Sequence, residues 1–448
     1  MYLIFFCAII FVVLLSKFKT GTLLNLIVPF VVFWLLVLFA SKYLSPDLYA
    51  VSDSTYNAVY IFVLIVAVTF LFFAKNGREY SANSHNLSFP SQRRMNNNIL
   101  MFLVQIIVIS ILIYYLLKYN NLKAYLPAYK LRIVRYQIGE LFGSGIEILF
   151  YNYVITTVVE LFGLIAITKI IKTSKISFKE ILSLISLFLY SLIGLGRFGL
   201  FNALFFILAS FWFLATSEKS RRFVKKISFK NMLIVLTTVL LLISGMVSIG
   251  ISRFESTSND FSGFFESLLS SLSQALLYFT GPLRSLDYFF TFSSNTIVNY
   301  QFGQAFFSGI NEFFTFLLSY VGINMTSSNS IISDLTNSTI TIGNGVQFNA
   351  FYTAIFNAYL DGGYLGIFIF GAILGLITSS IWNLHVKVKN FYSYSLVVYF
   401  SLMLASTAYR FEFQQFKSFL IIGILIYCSI KTYRGEVSID RDFSGNSL

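Results

Sequence analysis

Residues 231–260 read NMLIVLTTVLLLISGMVSIGISRFESTSND, an apolar run that stops abruptly at a polar segment. The apolar part is long enough to cross a hydrocarbon core about 30 Å thick as a helix. The segment that follows, Ser252–Phe348, is too polar to cross, and the next long apolar run begins near residue 364. The sequence therefore places one large segment outside the bilayer, between two sets of helices that span it.

The composition places the chain among integral membrane proteins. Hydrophobic residues make up 57%, aromatic residues 19% and charged residues only 11%, and the mean hydropathy is +0.76. Soluble globular proteins do not reach these values. Cys7 and Cys428 both lie in apolar runs, which argues against a disulfide framework or a thiolate metal site. No group of His, Cys and carboxylate residues has metal-ligand spacing, so we expect no metal and no cofactor.

Hydropathy predicts an all-α, polytopic membrane helix bundle of about 11 transmembrane helices. We divide the chain into a bundle of eight helices (1–250), a large extracytoplasmic loop of amphipathic helices (251–349), three further membrane helices (350–432) and a cytoplasmic tail (433–448). The predicted spans are 2–16, 22–42, 58–74, 99–117, 148–170, 181–196, 198–215, 231–250, 364–383, 392–408 and 418–432.

The basic residues predict the orientation of these helices. Most of the 32 lysines and arginines fall in alternate loops, which the positive-inside rule makes cytoplasmic. The amino terminus is then outside and the carboxyl terminus inside. Long side chains at helix ends reach the interface, and this explains some of the outer cations. The basic residues on the outer side are Lys42, Lys118, Lys123, Lys130, Arg132, Arg135, Arg197, Arg253, Arg284, Arg410 and Lys417.

The outer arginines are the candidates for binding an anionic ligand, because a guanidinium binds phosphate through two parallel hydrogen bonds. Arg197 lies in the short hairpin Gly194-Leu-Gly-Arg-Phe-Gly199, and Arg253 opens the large loop. Arg284 lies in the same loop, three residues before Asp287. The alternatives are a turn with a snorkelled arginine for Arg197 and an ordinary ion pair with Asp287 for Arg284.

The loop that contains Lys130, Arg132 and Arg135 mixes basic residues with tyrosines such as Tyr136. An extracytoplasmic surface of this kind suits an anionic ligand that carries sugars. The alternative is a solvated loop that binds lipid headgroups.

Amphipathic patterns predict helices within the large loop. One covers Phe261–Phe279 and is expected to lie in the membrane interface, a second begins at Pro282, and a third covers Phe306–Val321. If the first and third crossed the bilayer instead, Arg284 would be cytoplasmic. The stretch Asn324–Asn349 is rich in Ser, Thr, Asn and Gly, and its composition predicts an exposed, flexible segment.

The chain returns to the membrane through a polar stretch that contains Asn349 and Tyr352. It is followed by Asp361 and two glycines, just before the predicted span at 364–383. Asp361 either caps this helix or takes part in catalysis or ligand binding.

The order of these motifs resembles the oligosaccharide repeat-unit polymerases, the bacterial O-antigen polymerases of Wzy type. The resemblance covers the chain from about Leu131 onward. It is carried by the Gly196-Arg197 hairpin, by Thr280-Gly-Pro-Leu-Arg-Ser-Leu-Asp-Tyr288, and by Asn349-Ala-Phe-Tyr-Thr353 leading to Tyr359-Leu-Asp-Gly-Gly-Tyr-Leu-Gly366.

The resemblance implies a glycosyltransferase of the bacterial inner membrane, related to lipid-carrier-dependent enzymes of the GT-C type. Its donor would be a growing glycan on undecaprenyl pyrophosphate, and its acceptor a new lipid-linked repeat unit of an O-antigen, as in lipopolysaccharide, or of a similar surface polysaccharide. Its partners would be these substrates, membrane lipids, a chain-length regulator and a flippase, with no nucleic acid.

The expected chemistry assigns roles to the candidate residues. Arg197, Arg253 and Arg284 would stabilise the charge that develops on the departing pyrophosphate. Asp361, Asp287 and Glu255 are candidates for the base that activates the acceptor hydroxyl. The residues expected to bind pyrophosphate and glycan are Arg132, Arg135, Tyr136, Asn349, Tyr352 and Arg410.

Two other functions stay open. O-antigen ligases resemble these polymerases but carry a functional histidine in the large outer loop, whereas His85 and His385 here fall in loops predicted to be cytoplasmic. A flippase or transporter for a lipid-linked glycan places charges and broken helices near the membrane midplane, often in repeated halves. The charges here gather on one side of the membrane, which favours the polymerase.

Overall fold

The computed structural model describes residues 2–76, 99–126, 130–131, 134, 139–173, 175–193, 198–214, 261–293, 299–336, 338–348 and 352–444. These residues are mostly helical. The helices are α1 (Tyr2–Thr20), α2 (Ile27–Tyr43), α3 (Asp53–Phe73), α4 (Ile99–Lys123), α5 (Gly145–Leu149), α6 (Thr156–Thr173), α7 (Phe178–Leu192), α8 (Phe198–Leu214), α9 (Phe261–Ser293), α10 (Ser308–Tyr320), α11 (Ser328–Thr336), α12 (Ala354–Val388), α13 (Phe391–Ser406) and α14 (Phe416–Ser444). A π-helical turn, Phe150–Ile155, joins α5 to α6, a short 3₁₀ helix covers Glu412–Gln414, and strands β1 (Ile340–Gly343) and β2 (Val346–Phe348) form a hairpin.

Within this described part, five helices are long and apolar enough to cross a membrane: Asp53–Phe73, Met101–Lys123, Gly145–Thr173, Ala354–Val388 and Phe416–Arg434. The protein is therefore a mostly α-helical membrane protein, as the composition predicts. The predicted span at 231–250 lies outside the described residues, and each of the others overlaps a helix. The number of crossings and the relation to GT-C enzymes stay predictions.

The chain forms two compact units, each made of several segments of the sequence. The first unit comprises Met1–His85, Ser273–Lys389 and Phe400–Phe419, and the second comprises Asn86–Leu272, Asn390–Tyr399 and Leu420–Leu448.

In the first unit, glycines bring α12 close to α3. A Cβ atom at Gly375 would lie 2.7 Å from the Val66 carbonyl oxygen and 2.7 Å from the Thr69 side chain. Gly371, one helical turn earlier, faces the side chains of Phe62 and Ile65. Small residues four positions apart let membrane helices approach closely and gain van der Waals contact. The helices α3 and α12 are thus closely packed against each other in the first unit.

In the second unit, polar side chains link the helices. Gln105 of α4 donates to the Ser183 hydroxyl of α7 at 2.7 Å, and Asn202 of α8 donates to the Glu160 carboxylate of α6 at 3.1 Å. Lys169 and Glu180 form an ion pair at 2.7 Å between α6 and α7. Glu160 lies inside a predicted span, and the Asn202 amide gives its carboxyl group a hydrogen-bond partner there.

The prediction of a new helix beginning at Pro282 is wrong, because α9 continues through this residue to Ser293. Proline cannot donate a backbone hydrogen bond, and it usually breaks a helix. Side chains around it bond to nearby carbonyl groups: Thr280 to Leu276 at 3.0 Å and Arg284 to Thr280 at 3.0 Å. Gly281 also packs against the Phe348 ring, where a Cβ would come within 2.9 Å. Hydrogen bonds within α9 and the tertiary contact of Gly281 with Phe348 therefore accompany the continuous helix across the proline.

The prediction of a flexible stretch over Asn324–Asn349 is also wrong. It contains α11 and the β1–β2 hairpin, whose buried side chains Ile340, Ile342 and Phe348 pack with Leu48 and Leu277. The Tyr49 amide donates to the Ile342 carbonyl at 2.8 Å, so the hairpin is fixed to the α2–α3 connection. Alternating isoleucines followed by Asn344-Gly345 are a hairpin signal that the polar composition hides.

Candidate functional site

The predicted site residues divide into two groups. The side chains of Arg284, Asp287, Tyr352, Asp361 and Arg410 are described, and all five belong to the first unit. The remaining predicted residues lie outside the described part of the chain: Arg132, Arg135, Tyr136, Arg197, Arg253, Glu255 and Asn349.

Arg284 is buried, with only 5% of its surface exposed, and it connects α9 to the end of α2. Its Nη1 donates to the Ser41 hydroxyl at 2.6 Å, and its Nη2 to the Ser41 carbonyl at 2.6 Å. Its Nε donates to the Tyr49 carbonyl at 3.1 Å. Ser41 lies in the last turn of α2, where carbonyl groups lack helical partners and the helix dipole is negative. The guanidinium thus satisfies a helix terminus.

Asp287 lies one turn further along α9 and bonds to the start of α3. Its Oδ1 accepts from the Ser52 amide at 3.2 Å, from the Thr55 hydroxyl at 2.7 Å and from the Ser52 hydroxyl. Ser52 is the N-cap residue of α3. A carboxylate is favourable at a helix amino terminus, where amide groups are free and the dipole is positive.

Arg284 and Asp287 together fix the α2–α3 connection to α9. We call these two residues the helix-end clamp. The cation meets a helix carboxyl terminus and the anion meets a helix amino terminus, so each charge complements the dipole it faces. Their spacing, which in the sequence fits an ion pair or a ligand contact, serves here to reach two helix ends at once.

Asp361 holds the loop that precedes α10. Its two carboxylate oxygens accept from the Ala305 and Phe306 amides at 2.9 and 2.7 Å, and only 3% of the residue is exposed. The backbone departs from helical geometry immediately afterwards, with φ of +61° at Gly363, a conformation that favours glycine. Asp361 does not cap the helix at 364–383 as predicted, because α12 begins at Ala354; its carboxylate instead binds amides of the loop before α10, and its catalytic role stays a prediction.

Tyr352 lies in the segment before α12 and is buried. Its ring stacks on Phe356 with the centroids 4.2 Å apart and meets Phe289 of α9 edge-on at 6.4 Å. Burial, with a smaller effect of the nearby Tyr288, raises the pKa of the Tyr352 hydroxyl to about 12. Tyr352 therefore stays neutral at physiological pH and joins α9 to the start of α12.

Arg410 differs from Arg284, because about a quarter of its side chain (24%) is exposed. Its Nε lies 3.6 Å from Oε1 of Glu412, a distance that allows an ion pair but is too long for a good hydrogen bond. Glu412 is 5% exposed, and its Oε2 is buried with no hydrogen-bond partner within the described residues. We call these two residues the Arg410–Glu412 pair.

Glu412 is the residue that the sequence analysis missed. It lies between Phe411 and Phe413, which pack on the Phe306 ring with centroids 4.5 and 6.2 Å away. A carboxylate between aromatic residues of a membrane protein, two positions from an outer arginine, was the available signal. Burial of such a group is costly unless a partner compensates it, so it stands out as a candidate functional residue.

The second unit contains a separate cluster near the predicted basic loop. The Tyr115 hydroxyl donates to Glu147 at 2.6 Å, the Gly143 amide donates to the same carboxylate at 2.7 Å, and Lys118 donates to the Leu141 carbonyl at 2.6 Å. The π-helical turn Phe150–Ile155 follows directly, and such turns are frequent at functional sites. Lys118 thus has a structural partner here, in addition to its predicted position at a helix end.

No group of three or more His, Cys, Asp or Glu residues in the described ranges is arranged to hold a metal ion. The chain matches no family model, no curated protein and no solved structure.

Proposed function

We propose that the protein is a glycosyltransferase that polymerises lipid-linked oligosaccharide repeat units of an O-antigen or a similar surface polysaccharide. It transfers the growing glycan from undecaprenyl pyrophosphate to a hydroxyl group of a new repeat unit at the outer face of the bacterial inner membrane. The proposal rests on the sequence resemblance and on the chemistry available in the first unit.

The observation that carries the proposal is the Arg410–Glu412 pair. A partly exposed guanidinium can bind pyrophosphate, and a buried carboxylate with an unpartnered oxygen can accept a hydrogen bond from a hydroxyl group. Transfer of a glycan from a pyrophosphate needs both functions. The two residues also lie between α13 and α14, in a segment that the charge distribution predicts to be outside.

The segments around this pair are ordered, which supports a site that is preorganised for its substrates. The helix-end clamp fixes α9, Asp361 fixes the loop before α10, and the Asn357 amide donates to the Ala305 carbonyl at 2.7 Å. Preorganised dipoles stabilise developing charge without reorganising during the reaction.

One observation favours a flippase as the second candidate. The helix α12 is broken at Gly362 and Gly363, and broken helices are common at the substrate sites of transporters. The break lies close to the start of α12 rather than at its centre. We therefore place the flippase second.

The test compares surface glycans and lipid-linked intermediates between the source strain, a strain that lacks this gene, and the same strain complemented with wild type. We expect the deletion to reduce the surface product to a single repeat unit and wild type to restore the ladder. Long chains that remain on the carrier lipid would instead identify a ligase. Single repeats that accumulate on the inner leaflet would identify a flippase.

A further inference from the structure

The structure points to a specific division of labour within the proposed reaction, and this inference rests on the proposed polymerase function. We propose that Arg410 is exchanged between Glu412 and the donor pyrophosphate, and that Glu412, once uncovered, is the base that accepts the proton of the acceptor hydroxyl.

The first step of the argument is the state of the other carboxylates. Both oxygens of Asp361 accept backbone amides, and Oδ1 of Asp287 accepts three hydrogen bonds at the start of α3. A base must accept a proton from the substrate, and Asp361, both of whose oxygens accept backbone amides, is poorly placed to do so. The Asp287 carboxylate is bound through Oδ1 to the start of α3, which fixes its orientation there. Oε2 of Glu412, by contrast, has no hydrogen-bond partner in the described part of the chain.

The second step is the cost of that unpartnered oxygen. Leaving a buried polar group without a hydrogen bond destabilises the folded state, and the penalty is larger for a charged group. Phe411 and Phe413 flank Glu412 and provide no acceptor or donor in their side chains. A hydroxyl group from a ligand would supply the missing hydrogen bond.

The third step is that Glu412 is not alone in lacking a partner. The hydroxyl oxygens of Thr353 and Ser308 are also buried without a hydrogen bond. Their segments meet the one that carries Glu412: the Ala354 amide donates to the Thr407 carbonyl at 2.8 Å, and a Cβ at Gly309 would lie 2.9 Å from the Phe413 carbonyl oxygen. Each of these unpartnered oxygens, on segments that adjoin one another, would gain a hydrogen bond from a polar ligand or an ordered water.

The fourth step is the weakness of the ion pair. At 3.6 Å, the contact of Arg410 Nε with Glu412 Oε1 is long, and the arginine is partly exposed. A pyrophosphate carries more charge than a carboxylate and accepts two parallel hydrogen bonds from a guanidinium. Donor binding would therefore draw Arg410 away from Glu412 and leave the carboxylate open to the acceptor.

The chemistry then balances. The proton of the acceptor hydroxyl moves to Oε2 of Glu412, and the hydroxyl oxygen forms a bond to the anomeric carbon of the donor glycan. The bond between that carbon and the pyrophosphate oxygen breaks, and its electron pair leaves with undecaprenyl pyrophosphate, which Arg410 holds. Glu412 later releases the proton to water.

Two measurements test this proposal. The first is binding of farnesyl pyrophosphate to the purified full-length protein in nanodiscs, with farnesyl monophosphate for comparison. We expect Glu412→Gln to bind as tightly as wild type or more tightly, because the Glu412 carboxylate no longer competes with the pyrophosphate for Arg410. Adding Arg410→Gln to that variant should weaken binding about 10- to 100-fold, as expected for loss of a charged hydrogen-bond donor. The double variant leaves no buried carboxylate without its cation, so misfolding does not explain the loss.

The second measurement is the surface glycan of the deletion strain complemented with Glu412→Gln. We expect a single repeat unit, with protein abundance equal to wild type, because removal of a general base lowers the rate about 100-fold or more. Glu312→Gln, in which another carboxylate of the first unit is neutralised, is the matched control and should restore the ladder.

Each outcome decides one part. A full ladder with Glu412→Gln overturns the role of Glu412 as base. Three binding results overturn the exchange of Arg410. Wild type does not bind farnesyl pyrophosphate, or Glu412→Gln alone weakens binding, or adding Arg410→Gln to Glu412→Gln leaves binding unchanged. If the deletion strain itself keeps its ladder, the proposed polymerase function fails, whatever the binding results.

Discussion

The helix-end clamp and the Arg410–Glu412 pair are built from the same residue types at nearly the same spacing, and the protein uses them in opposite ways. In the clamp, Arg284 is buried and donates to three different residues, and Asp287 accepts from two. In the pair, the arginine is partly exposed and one carboxylate oxygen has no partner. Charged groups with several hydrogen-bond partners stabilise a fold, whereas a buried carboxylate oxygen without a partner, such as Oε2 of Glu412, can accept a hydrogen bond from a ligand.

The comparison changes which residues we regard as the site. The predicted roles of Arg284 and Asp287 are to stabilise the departing pyrophosphate and to act as a candidate base. Their partners in the structure are instead the ends of α2 and α3. Substitution of Arg284 would thus reduce activity by damaging the fold, and loss of activity alone would not identify it as a catalytic residue.

The largest effect is expected for Arg284→Ala. The change leaves the carbonyl groups of Ser41 and Tyr49 without this donor, and we expect the free energy of unfolding to fall by about 3 to 5 kcal/mol. Chemical unfolding of the purified protein in detergent measures the change. Arg434→Ala, at an exposed arginine, is the control and should have little effect. If Arg284→Ala were as stable as wild type, the helix-end clamp would not be what fixes the α2–α3 connection to α9.

The next effect is expected for Asp361→Asn. The substitution replaces one of the two carboxylate oxygens by an NH2 donor, which faces the amide of either Ala305 or Phe306. We expect the free energy of unfolding to fall by about 2 to 3 kcal/mol. Asp334→Asn provides a matched change at an exposed position of α11. Unfolding of the two variants is compared under the same conditions. Equal stability of both would argue that Asp361 is not a structural cap and would return it to the list of candidate bases.

A smaller effect of opposite sign is expected for Glu412→Gln. The change removes a buried negative charge with an unpartnered oxygen, while Arg410 keeps contact with solvent. We expect the free energy of unfolding to rise by about 1 kcal/mol, because a neutral amide costs less to bury than a carboxylate with an unpartnered oxygen. Functional residues commonly reduce stability in this way. A loss of stability as large as that of Arg284→Ala would make Glu412 a structural residue like the clamp.

The overall fold was predictable where it depends on hydropathy, because apolar runs of membrane length have few alternatives to a helix. The continuity of α9 was not predicted, and the β1–β2 hairpin was missed because its local signal, the alternating isoleucines before Asn344-Gly345, lies in a stretch of polar composition. The hairpin is fixed by the Asp47–Tyr49 segment, and Pro282 is tolerated because Gly281, Thr280 and Arg284 make compensating contacts.

The candidate site was predictable only in its residue types. Arg284 finds its partner Ser41 at a separation of 243 positions in the chain. No local pattern distinguishes such an arginine from one that binds a phosphate. The burial of Glu412 is likewise not visible in the sequence, because the rings that flank it, Phe411 and Phe413, pack on Phe306 from another segment.

The smallest effect is expected for Tyr352→Phe. This change tests whether the Tyr352 side chain packs in the protein interior or binds a ligand. At neutral pH, Tyr352→Phe should change the free energy of unfolding by less than about 0.5 kcal/mol, because the stacked ring is kept. Burial raises the pKa of the hydroxyl from 10.0 to about 12, so its contribution is fully present below pH 10 and is lost as the pH rises to 12. The unfolded chain ionises first in this window, and wild type should therefore lose about 0.8 kcal/mol relative to Tyr352→Phe near pH 10.5.

The measurement is unfolding of both proteins at neutral pH and near pH 10.5, with Tyr125→Phe, at an exposed tyrosine, as control. If the two proteins instead kept the same difference at both values, the Tyr352 hydroxyl would have to be accessible to water, and its predicted role in binding the glycan would gain support.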